Sequence, residues 1–217
     1  MAPLEKRLTK LLEWCQPCQV VADIGSGQGR LARALARQGH HVFATEKTLV
    51  GWQELVQYTR HFDNIVPLRG DGLEPLSALD IPMDVVVVAG MGPKTIEHIL
   101  QQNAPSRRIP TFIVQPMQGL FVLRRYLQVE SWFVRRAELV QERGRLYGMW
   151  WIEKNRDESV GSLSKWLPTE FLGSSLYPLL IQDRLAQLDW KLQHQNRTNR
   201  MFCEWQDERN SLLSMLR

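Results

Sequence analysis

Short apolar segments alternate with amphipathic stretches along the first 130 residues of this 217-residue chain. The apolar segments are rich in valine and isoleucine and are almost free of polar residues, as strands covered on both faces must be. The stretches between them repeat apolar residues at helical spacing. This alternation predicts an α/β fold with a parallel sheet between helices. Strands are expected at residues 19–23, 41–45, 64–68, 84–89 and 111–114, and helices at residues 4–14, 29–38, 51–59, 94–102 and 120–127.

The pattern changes after residue 130. Residues 132–140 and 146–153 are two extended, aromatic-rich segments joined by a short polar turn that contains Gly144. Because no helical segment separates them, they are expected to form an antiparallel hairpin at the edge of the sheet. The full prediction is a Rossmann-like, mostly parallel sheet of seven strands.

The C-terminal part has a different composition. Residues 156–175 contain glycine and proline and are predicted to be a linker between a domain of residues 1–155 and a helical extension of residues 176–217. In the extension, apolar residues follow a 4-3-4 spacing that is typical of coiled coils. They are Ile181, Leu185, Leu188 and Leu192. Two arrangements are open: one long helix, or a helical hairpin that turns near residues 196–199, which is slightly favoured.

Basic residues outnumber acidic residues, 27 against 23, and the whole excess lies in the first 155 residues. Arginine pairs recur there. Two interpretations remain open: an ordinary solvated surface, or a surface that contacts the phosphates of a nucleic acid. The candidates for phosphate contacts are Arg7, Arg30, Arg107, Arg108, Arg124 and Arg125.

The sequence contains no apolar run near the roughly 20 residues that a membrane span needs. The N-terminus also lacks the apolar core of a signal peptide, so a cytoplasmic protein without membrane contact is expected. A monomer is also expected. Trp14-Cys15-Gln16-Pro17-Cys18 resembles the thioredoxin pentapeptide, but it follows a helix and precedes a strand, which disfavours redox chemistry. No second cysteine pair completes a zinc site, and no metal is expected.

A glycine-rich loop follows the first predicted strand, with Asp23 two residues before Gly25-Ser26-Gly27 and a third glycine at Gly29. Glycines let the backbone turn tightly and approach a ligand, while the next helix offers its N-terminal N–H groups. Dinucleotide-binding loops have a different glycine spacing, and a carboxylate here would repel a pyrophosphate. The ammonium and sulfonium of S-adenosylmethionine would instead be attracted, so this cofactor is predicted.

Acidic residues also follow the next two strands. Glu46 ends the second strand, beside Lys47, where a carboxylate can accept hydrogen bonds from both ribose hydroxyls. Asp71, beside Gly72, follows the third strand and is a candidate for the adenine amino group. Each carboxylate alone could be a loop residue or an N-cap, but together they lie at the edge where open α/β sheets bind ligands. The predicted cofactor-binding set is Asp23, Gly25, Ser26, Gly27, Gly29, Glu46, Lys47, Asp71, Gly72, Ala89, Gly90 and Gln115.

The fourth strand ends in Gly90-Met91-Gly92, and no carboxylate follows it until Glu97. These small residues leave room for a flat base, with Met91 as an apolar wall. An aromatic ring nitrogen could attack the methyl carbon directly, without a strong general base, because positioning supplies most of the acceleration. We therefore predict that Gly90, Met91 and Gly92 border the target base.

Several segments together resemble the bacterial tRNA (adenine-22-N1)-methyltransferases over roughly residues 1–155. They are Lys6-Arg7-Leu8, Ala22-Asp23-Ile24-Gly25-Ser26, Gly70-Asp71-Gly72-Leu73, Ala89-Gly90-Met91-Gly92, Gln115-Pro116-Met117, Leu123-Arg124 and the stretch from Gly144 to Tyr147. The resemblance implies a class I methyltransferase fold, S-adenosylmethionine as cofactor, tRNA as substrate, methylation at N1 of an adenine and a C-terminal coiled-coil-like domain.

The chain departs from that family pattern in the loop. Gly27-Gln28-Gly29-Arg30 stands where the family continues with Asp-His-Ala-Tyr, so a loop acid and a histidine are replaced. Two alternatives therefore remain beside the leading interpretation. One is a methyltransferase for a small metabolite, and the other is a tRNA-binding relative that has lost turnover.

Overall fold

The computed structural model describes residues 3–79, 81–103, 111–154, 166–195 and 201–215. The chain divides into two compact units, Met1–Glu158 and Ser159–Arg217. Among the described residues, no helix combines the length and apolarity needed to cross a membrane.

The first unit is built on one seven-stranded sheet in the order β3-β2-β1-β4-β5-β7-β6. Only the pairs that involve β7 are antiparallel, so the predicted mostly parallel sheet and its edge hairpin are confirmed. The strands are β1 Val20–Ile24, β2 His41–Glu46, β3 Ile65–Arg69, β4 Val85–Met91, β5 Thr111–Pro116, β6 Phe133–Glu142 and β7 Arg145–Glu153. The helices are α1 Lys6–Trp14, α2 Arg30–Arg37, α3 Leu49–Thr59, α4 Pro93–Gln101 and α5 Leu120–Val129.

The central strands are apolar along their length because helices cover both faces of the sheet. The four valines that open β4, residues 85–88, are completely buried. Helix α2 buries Leu31, Ala32, Leu35 and Ala36, which form its single apolar stripe against this core.

Strand β1 pairs with β2 on one side and with β4 on the other. The chain therefore leaves β1 towards one edge of the sheet and later returns to its other side. In open α/β sheets this reversal leaves a crevice outside the carboxyl ends of the strands, where ligands bind. The predicted site residues lie at those strand ends.

The second unit contains a short 3₁₀ helix, Thr169–Phe171, and two helices, α6 Tyr177–His194 and α7 Phe202–Ser214. The two helices are antiparallel, because the Tyr177 hydroxyl lies 3.5 Å from Met215 Sδ, while Lys191 Nζ lies 5.2 Å from the centroid of the Trp205 ring. Ile181, Leu188 and Leu212 are buried between them. Two separate helices are thus observed, as in the predicted hairpin, while the predicted turn near residues 196–199 lies outside the described residues.

Candidate functional site

The glycine loop is held against the end of β2. The Ser26 N–H donates to the Thr45 carbonyl at 3.0 Å, and the Gly29 N–H donates to the Ser26 carbonyl at 2.9 Å. Gly25 and Gly29 have φ values of 66° and 67°, in the left-handed region that favours glycine. Helix α2 begins directly after Gly29, so the loop delivers the free N–H groups of a helix start to the crevice.

Asp23 lies beneath this loop with only 5% of its surface exposed. Its Oδ2 accepts a hydrogen bond from the Ser26 hydroxyl at 2.5 Å. Burial, with a smaller contribution from the nearby Glu46 charge, raises the pKa of Asp23 to about 6, although hydrogen bonds from Ser26 and the Ala32 backbone act to lower it. A cationic ligand group nearby would therefore favour the charged carboxylate.

Glu46, at the end of β2, is oriented by the loop. Its Oε1 accepts the Gly27 N–H at 2.6 Å. A side chain at Gly51 would place its Cβ 2.9 Å from Glu46 Oε2, so glycine at this position leaves space for the carboxylate. Glu46, the residue predicted to bind the ribose, is thus held beside both the glycine loop and the first turn of α3.

Asp71 follows β3 and has a partner that the sequence did not reveal. Lys47 Nζ lies 2.7 Å from Asp71 Oδ2, and His98 Nε2 lies 3.9 Å from the same oxygen. Helix α4 thereby reaches the expected adenine end of the crevice. Gln102 of the α4 C-cap adds a link, since its Oε1 accepts the Leu73 N–H at 2.7 Å.

Strand β4 ends in an irregular step, where the register against β5 shifts between Ala89 and Met91. Gly90, inside this step, has a φ of 80°. The Met91 side chain lies against the glycine loop: a Cβ added to Gly25 would be 2.1 Å from Met91 Cε. Met91 therefore packs against the glycine loop, and its role as an apolar wall for the target base stays a prediction.

Gln115, at the end of β5, is completely buried. Its Oε1 accepts a hydrogen bond from Arg7 Nη1 at 3.1 Å, and its Nε2 donates to the Pro116 carbonyl at 2.6 Å. The sequence placed Gln115 among the cofactor ligands. In the structure both ends of its amide are held by protein groups, and its contact with the cofactor stays a prediction.

The candidate phosphate-binding arginines occupy different environments. Arg124 is a correction to the sequence prediction: it is 2% exposed, because it lies on the inner face of α5, and it cannot contact phosphates from there. Arg125, its neighbour, is exposed. Arg30 pairs with Glu5, and Arg7 is held within the site. Arg107 and Arg108 lie outside the described residues.

Cys15 and Cys18 are buried thiols in the connection between α1 and β1. Burial raises the pKa of both, that of Cys18 to about 11, which suppresses the nucleophilic thiolate. This environment agrees with the expectation that the pair has no redox role. Within the described ranges, no cluster of three or more histidines, cysteines or carboxylates is arranged to hold a metal.

The crevice suits a ligand with a cationic amino-acid end, a ribose and an adenine. Asp23 lies under the loop, while Glu46 and Asp71 follow the neighbouring strands β2 and β3. Gly27 leaves open space where a Cβ would point, so a ligand can approach the loop backbone. These features match S-adenosylmethionine, and a pyrophosphate would meet the buried Asp23 charge instead of a neutral loop.

Comparison with known proteins agrees with this geometry. The methyltransferase domain family matches residues 4–150. A Mycoplasma pneumoniae protein, named as a candidate tRNA methyltransferase, is 27% identical over 139 residues, which cover 63% of this chain and 64% of that protein. The chain thus spans slightly less than two-thirds of the length of that relative.

Two solved structures share the fold over almost the whole chain. The Mycoplasma capricolum TrmK, in complex with S-adenosylhomocysteine, superposes with a TM-score of 0.81 at 20% identity and covers 98% of this chain and 97% of its own. The Bacillus subtilis m1A22 tRNA methyltransferase TrmK superposes with a TM-score of 0.77 at 21% identity, with full coverage of both chains. The resemblance found in the sequence is therefore confirmed at the level of the fold. Because the match covers more than half of this chain, the chain belongs to the methyltransferase domain family.

Proposed function

We propose that this protein transfers a methyl group from S-adenosylmethionine to N1 of an adenine in tRNA, at the position equivalent to adenine 22. The observation that carries the proposal is the set of carboxylates, Asp23, Glu46 and Asp71, around a glycine loop in a fold shared with tRNA methyltransferases. The family match and the relative named for tRNA methylation support the reaction type and the substrate class.

Each carboxylate has a part in holding the cofactor. Asp23 would attract its ammonium and sulfonium, Glu46 would accept the ribose hydroxyls, and Asp71 would accept the adenine amino group. Lys47, which pairs with Asp71, would orient that carboxylate. When bound, the cofactor supplies an electrophilic methyl group whose S–C bond breaks as the new N–C bond forms.

The acceptor side needs no base for this reaction. Adenine N1 carries a lone pair and no proton, so it can form the new bond directly, and the positive charge passes to the adenine. Glu97, the first carboxylate after β4, is engaged by Lys94 at 2.7 Å and is largely buried. Gly90, Met91 and Gly92 would instead position the flat ring, and orientation lowers the barrier.

The test is nucleoside mass spectrometry on an unmodified tRNA transcript incubated with the protein and S-adenosylmethionine. We expect 1-methyladenosine in the transcript and none when adenine 22 is replaced by guanosine. Glu46→Ala should reduce cofactor affinity about tenfold or more, because hydrogen bonds to a charged group are lost. Methylation of a transcript without adenine 22, or at a different atom, would refute the assigned position.

Two further measurements separate the alternatives. A tRNA enzyme should lose affinity steeply between 50 and 200 mM salt, because neutralised phosphates release counterions, whereas a small-metabolite enzyme should respond little. Calorimetry with S-adenosylmethionine separates an enzyme from a tRNA-binding relative without turnover, which would bind tRNA but not the cofactor.

A further inference from the structure

Three segments that are distant in the sequence meet at Arg7. The residue lies in the first turn of α1. Its Nη1 donates to Gln115 Oε1 at the end of β5, and its Nε lies 3.5 Å from Glu142 Oε2 at the end of β6. The side chains of Arg7 and Glu142 are only 15% and 12% exposed. Arg7 is thus built into the molecule, unlike an exposed arginine.

The guanidinium borders the space assigned to the target base. A Cβ added to Gly90 would lie 4.0 Å from Arg7 Nη1, the one heavy atom within 4 Å among the described residues outside the segment 89–91. The Tyr147 ring lies on another side, with its centroid 6.0 Å from the Arg7 guanidinium carbon. Arg7 therefore forms part of the wall next to Gly90.

Arg7 also dictates how Gln115 is oriented. A guanidinium only donates hydrogen bonds, so the amide end that faces it must be the oxygen. The Gln115 nitrogen is then turned to the Pro116 carbonyl. The following residue, Met117, donates its N–H to the Met91 carbonyl at 2.8 Å, which ties this end of β5 to the wall of the pocket.

We infer that Arg7 is a positioning residue for the acceptor pocket, acting through Gln115, and that Glu142 is its counter-charge. This inference rests on the proposed function. Arg7 holds the end of β5, and with it Met91, in the arrangement that accepts the target base. Helix α1 and the end of β6 then contribute to the acceptor pocket through Arg7 and Glu142.

The need for Glu142 follows from the direction in which charge moves. The positive charge carried by the sulfonium arrives on the base together with the methyl group. An uncompensated guanidinium beside Gly90 would oppose that arrival, since like charges repel strongly in a poorly solvated site. Glu142 is itself well held, because its Oε1 also accepts the Lys6 N–H at 2.7 Å.

The experiment compares Arg7→Met, Arg7→Lys and Glu142→Gln with a matched control, Lys10→Gln. Lys10 lies one turn further along α1 and pairs with Glu138 of β6 at 3.1 Å, so the control removes an ion pair between the same two elements. No hydrogen bond or ion pair links Lys10 to Gln115 among the described residues. Two readouts are used: kcat and KM on tRNA, and hydrogen exchange of the peptide that contains residues 112–119.

We expect Arg7→Met to lower kcat about tenfold or more, the loss that corresponds to one charge-assisted hydrogen bond, and to change KM for the cofactor about twofold at most. Hydrogen exchange at residues 112–119 should accelerate. Arg7→Lys should restore part of kcat and part of the protection from exchange, since lysine keeps the charge and can donate a hydrogen bond. Glu142→Gln should lower kcat without weakening tRNA binding, and Lys10→Gln should match the wild type.

Unchanged kcat and unchanged exchange in Arg7→Met would overturn the inference, as would equal losses in Lys10→Gln, which would mean that only the docking of α1 matters. The exchange readout needs no substrate. A wild-type protein that methylates no tRNA would therefore refute the proposed function, while the exchange of residues 112–119 would still decide whether Arg7 controls the end of β5.

Discussion

Asp23, Glu46 and Asp71 carry the same formal charge but lie in different surroundings. Glu46 accepts a hydrogen bond from the Gly27 N–H, and Asp71 pairs with the Lys47 ammonium. Asp23 is buried, and burial outweighs its hydrogen bonds, so its pKa rises to about 6. Its charge is therefore a cost to the folded protein that a cationic ligand can offset.

Replacing this carboxylate should make stability less dependent on pH. The pKa of Asp23 in the folded protein, about 6, exceeds the ordinary value of 3.8 for an aspartate. The folded state therefore binds the proton more tightly, and wild-type stability falls as pH rises through this window. We expect Asp23→Asn to raise the free energy of unfolding by about 3 kcal/mol at pH 7.5, and by less than about 1 kcal/mol at pH 4.

Denaturation midpoints of both proteins between pH 4 and 8 provide the measurement, and calorimetry of the same variant should show weaker binding of S-adenosylmethionine. A stability difference that stays constant with pH would contradict this account. Asp71→Asn is the matched control, because it removes a carboxylate from the same crevice at a position where the side chain is 37% exposed.

At the scale of elements, the contact between Gly25 and Met91 joins the β1–α2 loop to the end of β4. Both halves of the site depend on it, since Gly25 belongs to the cofactor loop and Met91 to the acceptor wall. The Met91 side chain can occupy its observed position only because residue 25 has no Cβ.

Gly25→Ala should therefore be destabilising for two separable reasons. Its φ of 66° strains any L side chain, at about 1 kcal/mol, and its Cβ would displace Met91 Cε, the flexible end of that side chain, at about 0.5–1 kcal/mol more. The double variant Gly25→Ala/Met91→Ala should recover the overlap but keep the strain. Urea unfolding of both single variants and the double variant measures this coupling.

Gly144→Ala is the control for backbone strain alone. Gly144 has a φ of 75°, and apart from its chain neighbours no heavy atom of the described residues lies within 4 Å of its added Cβ. It should lose about 1 kcal/mol, and the loss should not change when Met91 is also replaced. If Gly25→Ala is no worse than Gly144→Ala, Met91 does not press on the loop.

At the scale of the whole molecule, every described residue assigned to the cofactor belongs to the unit Met1–Glu158. That unit has its own buried core, while the helical hairpin has a separate cluster around Ile181, Leu188 and Leu212. The division suggests that cofactor binding does not require the hairpin.

A fragment of residues 1–158 should therefore unfold cooperatively and bind S-adenosylmethionine with an affinity within about threefold of the full chain, a difference below 1 kcal/mol. Circular dichroism and calorimetry test the two statements. A folded fragment whose cofactor affinity falls tenfold would show that the hairpin contributes to the crevice.

The sequence by itself determined the parallel sheet, its edge hairpin and the glycine loop. These features follow from local patterns: apolar segments of strand length, helical periodicity and glycines at fixed spacing. It also placed Glu46 and Asp71 together, because the carboxyl ends of parallel strands always meet at one edge.

Only the tertiary structure decided which side chains meet across that edge. Lys47 and Asp71 are separated in sequence by a whole helix and strand, and Arg7, Gln115 and Glu142 come from three distant elements. Sequence spacing carries no information about such contacts, because they depend on strand order and on how α1 packs. Arg124 shows the same limit. An arginine pair is expected to be exposed, but Arg124 lies on the inner face of its helix and is buried, while Arg125 is exposed.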